Sequence, residues 1–400
     1  MARMTERPGR RWRTPFALAC SLAALLLAAC GGVEGGGTGA SPQGYAEGSA
    51  TGLGGLIVNG VNYEQRSARI ADDQGHLLGA DTLRLGMVMR IDSSAVGGDE
   101  PSAEALQVTV SSALTGPVSA SDLMARSLTV LGQTVLIDGA TAFDPAIAGG
   151  QAGIALGDAV EVHAIYDAAT GRYLARRIEP RSSPASYGLQ GRVQALDLAT
   201  RTLQMGGQPF QLSTRMSLPA GLTDGAFVKL LFDTQPDAHG RWRVRSVLMP
   251  AQRDAATGPV ALQGLIEQLD GSSLRVGGLR VDLRQAQVLP AGSVLQTGLR
   301  VRVEGSASDG VVRASTLTVK PVAEDGDRVN KQNFSLVGQL SALDLAAQRF
   351  TLLGTPVSFA DTVLSQGTES ALANGVRIEV RGTLSLDGTS LVAQGLKFDP

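Results

Sequence analysis

TGPVSASD at 115–122, QGRVQALD at 190–197, QGLIEQLD at 263–270 and GQLSALD at 338–344 are four versions of one segment. Their glycines, Gly116, Gly191, Gly264 and Gly338, stand 75, 73 and 74 residues apart. Self-similarity at so regular a period means an array of like modules rather than one large core. Each copy has a second glycine turn, at Gly132, Gly207, Gly278 or Gly354. Each then has a glycine-led run: LGDAVEVHA (156–164), DGAFVKLLF (224–232), TGLRVRVEG (297–305) or NGVRIEVRG (374–382). A more diverged first copy enters at GLGGLIVNGVNYE (52–64) and continues through LGMVMRID (85–92), which makes five.

Periodicity assigns the elements. In copy four Leu299, Val301 and Val303 alternate with Arg300, Arg302 and Glu304, and in copy five Val376, Ile378 and Val380 do the same. A period of two is that of a half-buried strand. Asn59-Gly60 and Gly277-Gly278 sit between such runs, where a two-residue hairpin turn needs positive φ at both positions. Each copy therefore reads as strand, strand, tight hairpin, strand, a connection, and two more strands. The expected fold is all-β: a tandem array of about five small OB-like five-stranded barrels. The alternative is an open, five-stranded half of a sandwich. Glycine content, 50 of 400 residues, fits a chain of many turns.

The glycine-opened first strand, the VNG-type hairpin and the glycine-led alternating strand resemble domain of unknown function 5666, which occurs in tandem in bacterial envelope lipoproteins. The resemblance covers nearly everything after residue 48, most clearly copies three to five. It implies a fold but no activity and no catalytic residues.

The N-terminus reads as an address. Arg3, Arg7, Arg10, Arg11 and Arg13 precede an apolar run from Phe16 to Ala29, the plan of an export signal too short to span a bilayer. Leu27-Ala28-Ala29-Cys30-Gly31 resembles the lipobox of bacterial lipoproteins, which implies that Cys30 becomes the acylated first residue of the mature chain. Cys20 lies inside the signal and no other cysteine exists, so the mature chain has no disulfide. Gly31–Glu47 is glycine-rich and reads as a flexible tether with a reach of about 20 to 25 Å.

The expected map is a signal peptide (1–29), a tether (30–47) and repeats at 48–112, 113–181, 187–250, 260–321 and 334–400. Polar linkers lie at 182–187, 251–259 and 323–333. Copy one is expected to lack a clean first strand. The join around Ser111–Thr115 is very short, so copies one and two are expected to share the most apolar surface.

Signatures of chemistry are sparse. There is no G-x-S-x-G, no P-loop and no H-E-x-x-H, so no enzyme and no cofactor is expected. His76, His163 and His239 fall in three different copies, as scattered surface histidines would, and no metal site is expected. Asp325, Asp327 and Asn330 imitate a calcium loop but lack its central glycine and closing glutamate. Asp72-Asp73 and Asp99-Glu100 could do acid–base work only if the fold buried one partner.

Five of the 35 basic and one of the 37 acidic residues fall in the first 29, leaving 30 against 36 and a net charge of -6. With sixteen aromatics in all, nucleic acid is not an expected partner. Arg241-Trp242-Arg243-Val244-Arg245 reads as a strand with Trp242 inward and a charged outer face. Copy three, with Trp242 and Phe210, is the mild candidate for a binding copy.

The expected function is a non-catalytic interaction or scaffold lipoprotein of the outer membrane, facing the periplasm or the cell surface. It would be held by lipid and contact envelope proteins or glycans. The alternative is a lipoprotein that captures a small molecule or oligosaccharide in a barrel mouth or between barrels.

Overall fold

The computed structural model describes residues 43–249, 254–320, 332–360, 362–364 and 371–398. The signal peptide, Cys30, most of the tether and the Asp325–Asn330 cluster lie outside the described residues. The thirty strands of the described residues fall into five groups, each closed into a ring by strand pairing.

In repeat one, β1 (Gly44–Leu53), β2 (Leu56–Val58), β3 (Val61–Glu64), β4 (Arg69–Asp72), β5 (Val88–Ser93) and β6 (Ser102–Val110) follow in order. β1 pairs antiparallel with β2 and β5, β2 with β3, and β5 with β6; β3 and β4 close the ring by running parallel to β6. That closure, with its one parallel seam, is the OB-like plan.

Repeat two repeats it with β7 (Leu114–Asp122), β8 (Ser127–Val130), β9 (Gln133–Leu136), β10 (Ala142–Phe143), β11 (Ala159–Asp167) and β12 (Arg172–Pro180). In repeat three the first strand is split into β13 (Tyr187–Arg192) and β14 (Gln194–Asp197). β15 (Thr202–Met205), β16 (Gln208–Leu212), β17 (Phe227–Phe232) and β18 (Trp242–Leu248) follow.

Repeat four uses β19 (Gly258–Asp270), β20 (Ser273–Val276), β21 (Leu279–Asp282), β22 (Gln287–Leu289), β23 (Arg300–Ser308) and β24 (Val311–Val319). Repeat five uses β25 (Phe334–Asp344), β26 (Arg349–Leu352), β27 (Thr355–Ser358), β28 (Val363–Leu364), β29 (Arg377–Leu384) and β30 (Leu391–Phe398).

The two glycine marks have one cause. Gly60, Gly132, Gly207, Gly278 and Gly354 all have φ between 72° and 79°, each preceded by a second positive-φ residue at Asn59, Leu131, Gly206, Gly277 or Leu353. These are the primed hairpin turns between second and third strands. The first glycine makes room for the turn: a Cβ on Gly116 would sit 2.5 Å from the Leu131 side chain. The first strand is also bulged, as at Val118/Ala120 and Ile266/Gln268, which bends it around its barrel.

Three expectations need correction. Repeat one has a full first strand, and it starts at Gly44, inside the stretch assigned to the tether. The stretch hides because β1 is buried on both faces: Tyr45 is 3% exposed and Ala50 0%. Small residues rather than alternation suit that position. Repeat four likewise begins at Gly258, two residues before the expected edge.

The third correction concerns which copies share a core. Repeat one packs apolar residues with repeat five, where Leu56, Met89 and Ile91 join Phe334, Phe350 and Leu372 in one cluster. Repeats two and three form a second cluster, and repeat four a third that includes Tyr45. β1 pairs in parallel with β19 at Gly44–Ala46 and with β25 at Gly52–Leu53, while β7 pairs with β13. The short join between copies one and two instead holds polar groups.

Candidate functional site at the junction of three repeats

On β11, Val160 and Val162 fill the second barrel, so Glu161 and His163 point out of it. Outward here means into repeat one, and His163 is 1% exposed. From β12 and the residue after it come Arg177, Glu179 and Arg181; from β17 of repeat three comes Lys229; from the residue after β4 comes Asp73. The join supplies Ser111 and Ser112.

These groups interlock. Lys229 Nζ lies 2.5 Å from Asp73 Oδ2 and 3.1 Å from Ser112 Oγ, and Ser111 Oγ donates to Asp73 Oδ2 at 3.1 Å. Arg177 bonds Glu179 at 2.5 Å and Asp144 at 2.8 Å. Arg181 binds Glu161 Oε2 and lies 3.4 Å from Glu179. His163 Nδ1 is 2.9 Å from the carbonyl oxygen of Ser111. Its Nε2 makes no hydrogen bond among the described residues, and Glu161 Oε1 stands 3.8 Å away.

Burial pushes the His163 ring below its ordinary value, outweighing the carboxylates of Glu161 and Glu179, with Arg177 pushing the same way as burial. Burial alone would raise the Glu161 carboxyl, but His163, Arg181 and Lys229 together hold it below the usual range. A histidine that resists protonation when folded contributes stability that is complete above its unfolded value, near 6.5, and is lost as pH falls toward the lower folded value. The urea midpoint of the full chain is therefore expected to drop more between about pH 7 and pH 5 than that of His163→Gln. Parallel profiles would contradict this.

A cleft of about 680 Å³ opens over this network, lined among others by Asp72, His76, Glu161, His163, Arg181 and Lys229. Across the Lys229–Asp73 pair is a smaller cavity of about 290 Å³, where Glu47, Arg90 and Glu267 face Phe227, Leu248 and Leu265. A depression of about 690 Å³ outside repeat four offers only a surface groove beside Glu304 and Arg313. The clefts at the junction are the better sites because they bury charge.

The other residues singled out from sequence are dispersed. His76 is exposed and paired with Asp72 at 2.8 Å, and His239 is exposed; His163 departs from the expected scatter of surface histidines by being core. Asp73 is the one member of the acidic pairs that the fold buries, against Lys229, while Asp99 and Glu100 are exposed. Phe210 is core, 5.0 Å from Phe232 between ring centres, and Trp242 packs 5.3 Å from the same ring. Arg243 and Arg245 stand outside and pair with Asp233. Sequence reasoning did not reach Lys229, Glu47 or Arg90. Among the described residues no three His, Cys, Asp or Glu side chains gather as a metal ion would need.

Segments 115–179, 263–317 and 337–396 match the model of a family described as Domain of unknown function (DUF5666). They fall in repeats two, four and five; of copies three to five, expected to show the likeness most clearly, four and five are matched and copy three is not. No curated protein matches the chain. Among solved structures, a multidomain protein with nucleic acid binding domains from Streptococcus pneumoniae TIGR4 is 14% identical over 52% of this chain and 73% of its own, with a TM-score of 0.18. Drosophila Unr CSD456 is 14% identical over 55% of this chain and 98% of its own, with a TM-score of 0.14.

Proposed function

We propose, for a chain that carries three segments of the DUF5666 family, that the array is a non-catalytic binding scaffold of the bacterial envelope. It is held by lipid at Cys30 to the outer membrane, facing the periplasm. The observation that supports the scaffold is the joining of the barrels: β1 is hydrogen bonded to β19 and β25, so the faces of repeats one, four and five are presented in one register. Independent beads would offer the same surfaces at variable spacing; a joined array presents them to a partner already ordered, which lowers the cost of binding. Crosslinking in whole cells, with the crosslinker placed on exposed barrel faces, should give discrete adducts with envelope proteins or glycans. Adducts no different from those of an unrelated envelope lipoprotein would refute the scaffold.

The anchor has its own test. Cys30→Ala is expected to leave an uncleaved precursor or a soluble periplasmic form in place of the membrane-bound protein, because one cysteine carries all attachment. Unchanged partitioning into detergent would remove the lipoprotein reading. Gly31 at the second mature position, where aspartate is absent, supports passage to the outer membrane; recovery only with inner membranes on a sucrose gradient would contradict it.

A second reading, capture of a small ligand between barrels, is favoured by one specific observation. The 680 Å³ cleft has the size of a ligand site and is lined by a buried histidine whose second nitrogen has no hydrogen-bond partner among the described residues.

A further inference from the structure

We propose that the cleft between repeats one, two and three binds a small primary amine, whose ammonium group sits between His163 Nε2 and Glu161. The proposal rests on the ligand-capture reading and supplies its chemistry.

The carbonyl oxygen of Ser111 can only accept, so His163 Nδ1, 2.9 Å from it, donates. In the neutral ring that leaves Nε2 as a bare lone pair. Facing it at 3.8 Å is Glu161 Oε1, a second acceptor whose partner oxygen is taken by Arg181. Two acceptors turned toward each other in a buried place repel until a donor stands between them. A nitrogen bearing several N–H bonds, about 2.8 Å from each, satisfies both at once.

Charge selects the ammonium over a neutral or anionic donor. Five carboxylates line the cleft, Asp72, Asp73, Asp144, Glu161 and Glu179, against the cations Arg84, Arg181 and Lys229. Those cations are already engaged. Arg181 is held by Glu161 and Glu179, Lys229 by Asp73 and Ser112, and Arg84 donates to the carbonyls of Asp81 and Leu83. Behind the wall Arg177 is taken by Glu179 and Asp144. An anion beside Nε2 would have to break the Arg181 or Lys229 pair, and Arg84 is tied to backbone carbonyls; an ammonium meets the Glu161 carboxylate, which shares Arg181 with Glu179, in a setting where water screens it weakly.

The test uses three probes of one length on the full chain in detergent: 1,4-diaminobutane, 1,4-butanediol and succinate. The chain has three histidines, so labelling them with 15N isolates the His163 Nε2 signal. The diamine is expected to move that signal at pH 8 and to bind at least about tenfold more tightly than either analogue. The affinity should fall about tenfold or more in Glu161→Gln, and again once the pH is lowered far enough for the 15N spectrum to show a proton on Nε2, which takes the ammonium's place. A diol or dicarboxylate that binds here as tightly would overturn the amine and leave ligand capture standing. If none of the three moves the His163 signal, both fall. A diamine that binds while leaving that signal unmoved places the site elsewhere and refutes the proposal as well.

Discussion

Residues 43–112 produced alone are expected to show no cooperative unfolding transition, and residues 43–181 are expected to leave that first barrel no better folded. A unit below roughly 70 to 80 residues draws only about 3 to 5 kcal/mol from its own core unless staples help, and no cysteine is available for one. Repeat one does not own its core. Leu56, Val58 and Ile91 lie in one cluster with Phe334, Phe350 and Leu372 of repeat five. The outer edge of β1 is paired to β19 and β25, so isolation also leaves backbone groups without partners. The two barrels approach so closely at Gly54, φ 89°, that a Cβ there would lie 1.8 Å from the Val337 carbonyl oxygen. Repeat two offers a polar joint in place of those contacts. Producing 43–112 together with 332–400 should restore a sigmoidal urea transition. A melt of 43–112 alone at the midpoint of the full chain would show that the shared cluster contributes little.

The contrast between these two neighbours explains what could be read from sequence. The strands at Val301–Val303 and Ile378–Val380 and the primed turns at Asn59-Gly60 and Gly277-Gly278 are local facts, decided within a few residues, and the structure has them as expected. Closure into an OB-like barrel follows from five such strands with one parallel seam. β1 was illegible because alternation reports a strand with one wet face, and β1 has none. The pairing of repeat one with repeat five joins residues nearly three hundred positions apart, which no periodicity records.

The junction was illegible for a related reason. Alternation places Glu161, His163 and Lys229 outside their barrels, and in a single module outside means water. In the array another module occupies that space. Lys229 then becomes a buried cation and His163 a core side chain, though their sequence neighbourhoods resemble those of Arg302 and Arg381 on the exposed faces of later copies. The difference lies in which face of a barrel another module covers, and only the covered face shows it.

Lys229→Met is therefore expected to destabilise the full chain by about 3 to 5 kcal/mol, the cost of breaking a buried ion pair on one side only. The side chains of Lys229 and Asp73 are 8% and 7% exposed and 2.5 Å apart. Removing the ammonium leaves the Asp73 carboxylate among low-dielectric surroundings with Ser111 as its hydrogen-bond partner and with Arg90 as a nearby positive charge. Removing both charges, as in Asp73→Leu with Lys229→Met, strands neither group, and a well-packed apolar pair in such a place is often neutral or better. The double variant should thus recover most of the loss, with a coupling energy above about 1.5 kcal/mol, which a cycle of four urea titrations measures. Because the pair ties repeat three to repeat one, the single variant should also separate the unfolding of repeats two and three from that of one and five, splitting a shared transition into two. A loss below about 1 kcal/mol with a single transition would be the behaviour of a solvated surface pair, and would mean that the three repeats are held together by their apolar clusters and strand pairing without help from the junction.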